Sequence, residues 1–146
     1  MIYTDLTKKA LKLCFEAHKD QTDKNGMPYV FHPFHLAEQM KDEYTTCIAL
    51  LHDVVEDTDT TIEQLSQIFP KEVTNAVALL THDEDVPYFD YVKAIKKDPL
   101  ALKVKLADLK HNSDITRLDT IDEKALKRME KYKKALLILQ EDQTLL

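Results

Sequence analysis

Residues 49–58 read ALLHDVVEDT and set one imidazole and three carboxylates, His52, Asp53, Glu56 and Asp57, among Leu50, Leu51, Val54 and Val55. An adjacent His-Asp pair offers a borderline nitrogen and a hard oxygen to a single cation. Helical residues four apart share a face, so His52 lies over Glu56 and Asp53 over Asp57, in a polar stripe about 100° wide. The two later carboxylates would then stand close enough to take a proton from an attacking water. The rest of this helix is apolar almost all round, the pattern of a helix packed on most sides. Charges buried there are costly unless something compensates them. The stripe therefore faces a cleft or a cation, or it is the solvated face of an ordinary amphipathic helix. Spacing alone leaves both open.

Further ligands can be sought on other segments. His32 stands at the mouth of a second helix, after the loop that carries Gly26, where a side chain can turn toward a neighbour. Asp108 interrupts the apolar run Leu106, Ala107, Leu109, with Asn112 one turn beyond it and His111 nearly on the same face. A loop histidine and a lone helical aspartate are also ordinary surface residues. His18, His35 and His82 have no partner at a telling spacing and read as structural or exposed.

The elements that must position these groups are helical nearly throughout. Leu6, Ala10, Leu13, Cys14 and Ala17 make a stripe after Thr4 or Asp5 as N-cap. Asn-Gly and Pro mark 19–31 as a loop. A second helix starts at His32-Pro33 and runs past Leu36, Ala37 and Met40. A third spans about 44–56. Thr60 to Glu63 reads as a capping box for a short helix to Phe69, which Pro70 ends. Helices over 71–82, 88–97 and 99–112 follow, the last two broken at Asp98-Pro99. A second capping box, Thr120 to Glu123, opens a final helix over about 121–142 that carries Leu126, Met129, Tyr132, Ala135, Leu136 and Leu139.

That makes about eight helices in one all-α domain over 1–146, the expected count for this length. A single glycine in 146 residues, against roughly ten at average usage, excludes the glycine-rich phosphate loops of Rossmann and P-loop proteins. The formal charge of −6 argues against nucleic-acid polymers and anionic membranes. A small anionic substrate remains compatible if a metal or a local group of lysines holds it. No apolar run approaches the ~18 residues needed to span a bilayer, and no export signal reads from the N-terminus. Cytoplasm is the expected compartment, with Cys14 and Cys47 as reduced core thiols.

Three blocks, AHKDQTDKNGMPYVFHP (17–33), ALLHDVVEDT (49–58) and VKLADLKHN (104–112), carry a family resemblance. The order His32, His52-Asp53, Asp108 resembles the HD superfamily of metal-dependent phosphohydrolases. More narrowly, the chain resembles the hydrolase domain of RelA/SpoT-type alarmone enzymes and the small stand-alone hydrolases related to the metazoan SpoT homologue. The likeness covers about 5–115, leaving 121–142 as a C-terminal packing helix. It implies an HD-type helical bundle and one divalent ion, typically manganese, on His32, His52, Asp53 and Asp108. It implies Glu56 and Asp57 as the groups that position and deprotonate water, and Asn112 near the nucleoside. The implied reaction removes the 3′-pyrophosphate of guanosine tetra- or pentaphosphate. Alternatives are an HD phosphohydrolase for another nucleotide or phosphate ester, a weakly catalytic nucleotide sensor, and a metal-free helical interaction domain.

The resemblance has departures. Where the family has Arg-Lys-Ser-Gly, this chain has Asp23-Lys24-Asn25-Gly26; where it has Arg-Leu-His-Asn-Met-Arg, this chain has Leu109 to Asp114. Planar cations are thus missing at Asp23, Leu109 and Asp114, which removes stacking and bidentate contacts. Lys24 is retained, and Lys19, Lys105, Lys103 and Arg117 are the cations that remain to meet a substrate.

Overall fold

The computed structural model describes residues 1–141. Among the described residues nine α-helices form: α1 (Asp5–His18), α2 (Phe31–Glu38), α3 (Glu43–Leu51), α4 (Val54–Asp57), α5 (Ile62–Ser66), α6 (Lys71–Leu80), α7 (Tyr88–Ile95), α8 (Pro99–Asn112) and α9 (Glu123–Glu141). A 3-10 turn, Ile115–Arg117, lies between the last two. Among the described residues no strand forms, and a lone bridge between Thr22 and Pro28 pinches the loop after α1. None of the helices is long and apolar enough to cross a membrane.

Local chemistry accounts for most helix ends. Thr4 caps α1 in a reciprocal box with Thr7, and Asp98 caps α8 through Leu100 and Ala101 with Pro99 in the first turn. Two expected boxes are corrected by the structure. Thr61 pairs with Gln64, one residue later than Thr60 with Glu63, and α5 ends at Ser66, short of Phe69. The final helix is capped by Asp122, whose carboxylate accepts from the Ala125 N–H at 2.8 Å. Position 142, the expected end of that helix, lies outside the described residues.

The core is built around α3, which packs on α1, α2, α6 and α8. Every residue from Thr45 to Leu51 is buried, as its all-round apolar pattern requires. Burying a side chain such as Ile48, Leu50 or Leu51 contributes about 1.5–3 kcal/mol. One apolar cluster runs from Ala10 on α1 to Leu139 on α9. Cys14 and Cys47 lie inside it as free thiols, and burial pushes both up to about 12. Leu126, expected on the core stripe of α9, is 52% exposed, whereas Met129, Ala135 and Leu139 are buried.

Candidate metal centre and substrate cleft

The third helix expected from sequence does not run through the His-Asp pair. α3 stops at Leu51, and α4 begins at Val54. Between them Asp53 takes φ −107°, ψ 1°, the sparsely populated bridge conformation. An unbroken helix would turn neighbouring side chains about 100° apart. The break instead folds them together, with His52 Nε2 3.0 Å from Asp53 Oδ2. This interruption replaces the expected continuous stripe. Glu56 and Asp57 sit on the single turn of α4 that follows.

His32, near the start of α2, and Asp108, on α8, close on the same point. His32 Nε2 lies 2.8 Å from Asp108 Oδ1, and His52 Nε2 lies 3.5 Å from the same oxygen. His32, His52 and Asp53 each offer a ligand atom within 4.8 Å of the others. Three distant stretches of sequence thus meet in one largely buried cluster.

The hydrogen bonding suits a cation. His52 Nδ1 donates to the Ala49 carbonyl at 2.6 Å, which leaves Nε2 to hold either a proton or a cation. Burial opposes a charge there, but Asp53 and Asp108 hold the imidazole well above its usual range. The buried Nε2 has no hydrogen-bond partner, although two carboxylates stand at ion-pair distance but out of line. A lone pair facing two carboxylates is repulsive until a positive charge lies between them, and an imidazole oriented by a carbonyl is the usual arrangement of a ligating histidine. In this structure His32 Nε2 pairs with Asp108 Oδ1 at 2.8 Å. With the ring proton on Nδ1 and given to His111 Nδ1, 2.7 Å away, Nε2 would be free for a cation instead. His111 stacks on His32, with ring centroids 5.0 Å apart and planes 6° from parallel. Burial, then Arg117, draws His111 down to about 4, so it stays neutral and can accept.

The same cluster shifts its acids. Burial opposes ionisation of Asp108, but the Lys105 ammonium, 3.0 Å from Oδ2, together with His32 and His52 holds its carboxyl well below the usual range. Burial likewise opposes ionisation of Asp53, and His52 outweighs it. The Tyr29 hydroxyl donates to Asp53 Oδ2. Asp57 behaves oppositely: burial, then Asp53 and Glu56, push it up to about 6.

Asp57 lines a cleft of about 540 Å³ beside this cluster, together with His32, Lys24 and Asn112. Glu56 does not line it; its carboxylate accepts from the His82 N–H at 2.7 Å, tying α4 to the end of α6. Of the other expected substrate contacts, Lys19 pairs with Glu16 at 3.0 Å and Lys105 with Asp108, and neither lines the cleft. Asn112 has both ends of its amide engaged, giving Nδ2 to Asp108 at 3.1 Å and taking Arg117 Nη1 at 3.4 Å. His18, read as structural or exposed, is fully buried against the Tyr29 ring.

Sequence reasoning passed over several residues of the site. Tyr29 stands three before His32, a spacing that could have marked it. Gln21 links His18 Nδ1, at 2.8 Å, to the Asp57 carbonyl, at 3.2 Å. Arg128 and Tyr132, one turn apart on α9, also line the cleft. Tyr132 reads from sequence only as part of the apolar stripe of this helix, and an arginine turned to a cleft looks like one turned to solvent.

Comparison with known proteins follows the same lines. A family model described as HD domain matches residues 10–145. The chain is 33% identical over 139 residues to the guanosine-3′,5′-bis(diphosphate) 3′-pyrophosphohydrolase of Aquifex aeolicus (strain VF5), covering 87% of this chain and 19% of that protein. It is 32% identical over 120 residues to the bifunctional (p)ppGpp synthase/hydrolase SpoT of Escherichia coli (strain K12), covering 72% and 17%. A GTP pyrophosphokinase of Streptomyces coelicolor is 35% identical over 141 residues, covering 88% and 16%. The chain spans less than a fifth of the length of these curated relatives. Among solved structures, a metazoan orthologue of SpoT described as hydrolysing ppGpp and acting in starvation responses superposes with a TM-score of 0.77 at 23% identity, over 96% of this chain and 88% of that one.

Proposed function

The chain belongs to the HD domain family, whose model matches residues 10–145, and from that premise we propose that it is a metal-dependent 3′-pyrophosphohydrolase of guanosine 3′,5′-bis(diphosphate), with residues 1–146 as a single hydrolase domain. The observation that carries this reading is the buried Nε2 of His52, set between Asp53 and Asp108 without a hydrogen-bond partner while Nδ1 donates to Ala49. The relatives named for this hydrolysis supply the substrate.

A divalent ion on His32, His52, Asp53 and Asp108, in our reading manganese, would supply Lewis acidity and offset the charge gathering on the phosphoryl oxygens. The chain's own residues do the rest. Asp57 takes the proton of the attacking water, since a carboxyl raised to about 6 is a base matched to near-neutral pH. Glu56, anchored on His82, fixes the turn that carries Asp57 and raises its proton affinity. Tyr29 and Lys105 orient Asp53 and Asp108. Lys24 and Asn112 hold the nucleotide from the cleft wall. Water adds to the phosphorus on the 3′ oxygen, that oxygen–phosphorus bond breaks, and the 3′ oxygen takes up a proton. The products are guanosine 5′-diphosphate and inorganic pyrophosphate. A soluble nucleotide pool, and so the cytoplasm, is the setting this substrate implies.

The test is pyrophosphate release from this nucleotide by manganese-loaded protein. One pyrophosphate per guanosine 5′-diphosphate is expected, and no turnover contradicts the proposal. A second reading, hydrolysis of another nucleotide, is favoured by Asp23 and Asp114 in the cleft lining. Turnover confined to another member of a nucleotide panel would select it.

A further inference from the structure

Arg117 stands in the cleft wall with one edge of its guanidinium committed and the other uncommitted. Nη1 donates to the His111 carbonyl at 2.8 Å and reaches the Asn112 amide oxygen at 3.4 Å. That edge caps the C-terminus of α8, where carbonyls lack helical partners. Nη2 lies 3.8 Å from Asp23 Oδ2, an ion-pair distance that is too long for a hydrogen bond. Among the described residues nothing accepts a hydrogen bond from Nη2 or Nε. Arg117 and Asp23 also both line a smaller pocket of about 370 Å³ next to His35 and His111. The pair therefore forms part of the boundary of both cavities.

We propose that Arg117 is a specificity-determining residue that grips a phosphoryl group of the nucleotide with the uncommitted edge of its guanidinium, and that Asp23 holds this edge until substrate displaces it. The inference rests on the hydrolase reading above and deepens it. A planar fork already fixed along one edge loses little freedom when it binds a phosphate through the other. Asn112 stands between Arg117 and Asp108, giving one a hydrogen-bond acceptor and the other a donor. The gripped group is therefore a second phosphoryl, apart from the one attacked at the metal centre. Asp23 divides its roles by oxygen: Oδ1 accepts from the Asn25 and Met27 N–H groups and shapes the loop, while Oδ2 faces Arg117. An amide at position 23 keeps the loop acceptor and deletes only the charge.

The experiment measures KM and kcat for guanosine 3′,5′-bis(diphosphate) with manganese, and binding of the same nucleotide by calorimetry in EDTA. Arg117→Ala should raise KM and Kd roughly tenfold or more, the loss expected for a charge-assisted contact, with kcat changed far less. Arg117→Lys should recover only part of that loss, because an ammonium cannot form the fork. Asp23→Asn should lower KM by about two- to fivefold, the release expected from a partly exposed ion pair. Unchanged KM and Kd in a folded Arg117→Ala protein overturn the inference. If that variant fails to fold, Asp23→Asn decides, and an unchanged or higher KM overturns it. Nucleotide binding that depends on Arg117, without any pyrophosphate release, supports this inference and contradicts the hydrolase reading. Hydrolysis with KM independent of Arg117 does the reverse, and neither binding nor turnover by the wild-type chain contradicts both.

Discussion

The Nδ1 proton of His52 is given to the carbonyl of Ala49 at 2.6 Å, three residues back in the same chain. That bond fixes the proton on Nδ1 and leaves Nε2 as the nitrogen that can hold either a second proton or a cation. The helix break at Asp53 then brings two carboxylates to that nitrogen. One local hydrogen bond and one local departure from helical geometry thus set the arrangement that, in our proposal, would hold a cation.

Tyr29 holds Asp53 from the loop side. Tyr29→Phe removes only a hydroxyl and keeps the ring against His18 and His32. Loss of an outer contact to a ligating carboxylate typically weakens metal affinity by about 10–100-fold. Titration with manganese should show a loss in that range with the melting temperature of the metal-free protein little changed. Equal affinity for both proteins would exclude Tyr29 from support of the site.

Glu56→Gln keeps an oxygen to accept from the His82 N–H and removes the charge beside Asp57. Turnover should drop about 10²-fold while the metal content of the purified protein stays at the wild-type level. A variant that loses its ion would make Glu56 a ligand and contradict its assigned role.

Asp57 gives a pH signature. Its carboxyl is raised from 3.8 to about 6 in the fold, so the folded chain favours the protonated form. Ionising it therefore costs stability, a cost absent below pH 3.8, growing through the interval to 6 and full above it. Asp57→Asn carries no such cost. In EDTA the variant should melt higher than wild type at pH 7, and the difference should close as pH falls toward 4. The same variant should lose about 10²- to 10⁴-fold in turnover. A melting difference independent of pH would contradict the raised carboxyl.

Much of this architecture is legible in the residues themselves. Periodicity locates the helices, Asp98-Pro99 fixes the start of α8, and the His-Asp spacing marks the cluster before any coordinate is known. What was illegible depends on tertiary context. The break at 52–53 carries no Gly or Pro, so nothing local announces it. The one-residue shift from Thr60 to Thr61 as cap is illegible because two adjacent threonines, followed three residues on by Glu63 and Gln64, offer the same capping pattern in either register. Lys105 looked like a substrate cation because sequence cannot show that its ammonium is already spent on Asp108, one turn along α8. The cleft position of Arg128 and Tyr132 is illegible, Tyr132 reading only as a residue of the apolar stripe, because only the approach of α9 to the loop after α1 makes a cleft wall there.

The most direct test of the shared cation is the stoichiometry and affinity of manganese binding, read by electron paramagnetic resonance, in the wild-type chain and in Asp108→Ala. One ion per wild-type chain, coupled to two imidazole nitrogens and lost or greatly weakened in the variant, is the predicted result. An ion held as tightly without the Asp108 carboxylate, or one coupled to no histidine, would contradict convergence of α2, the α3–α4 break and α8 on a single metal.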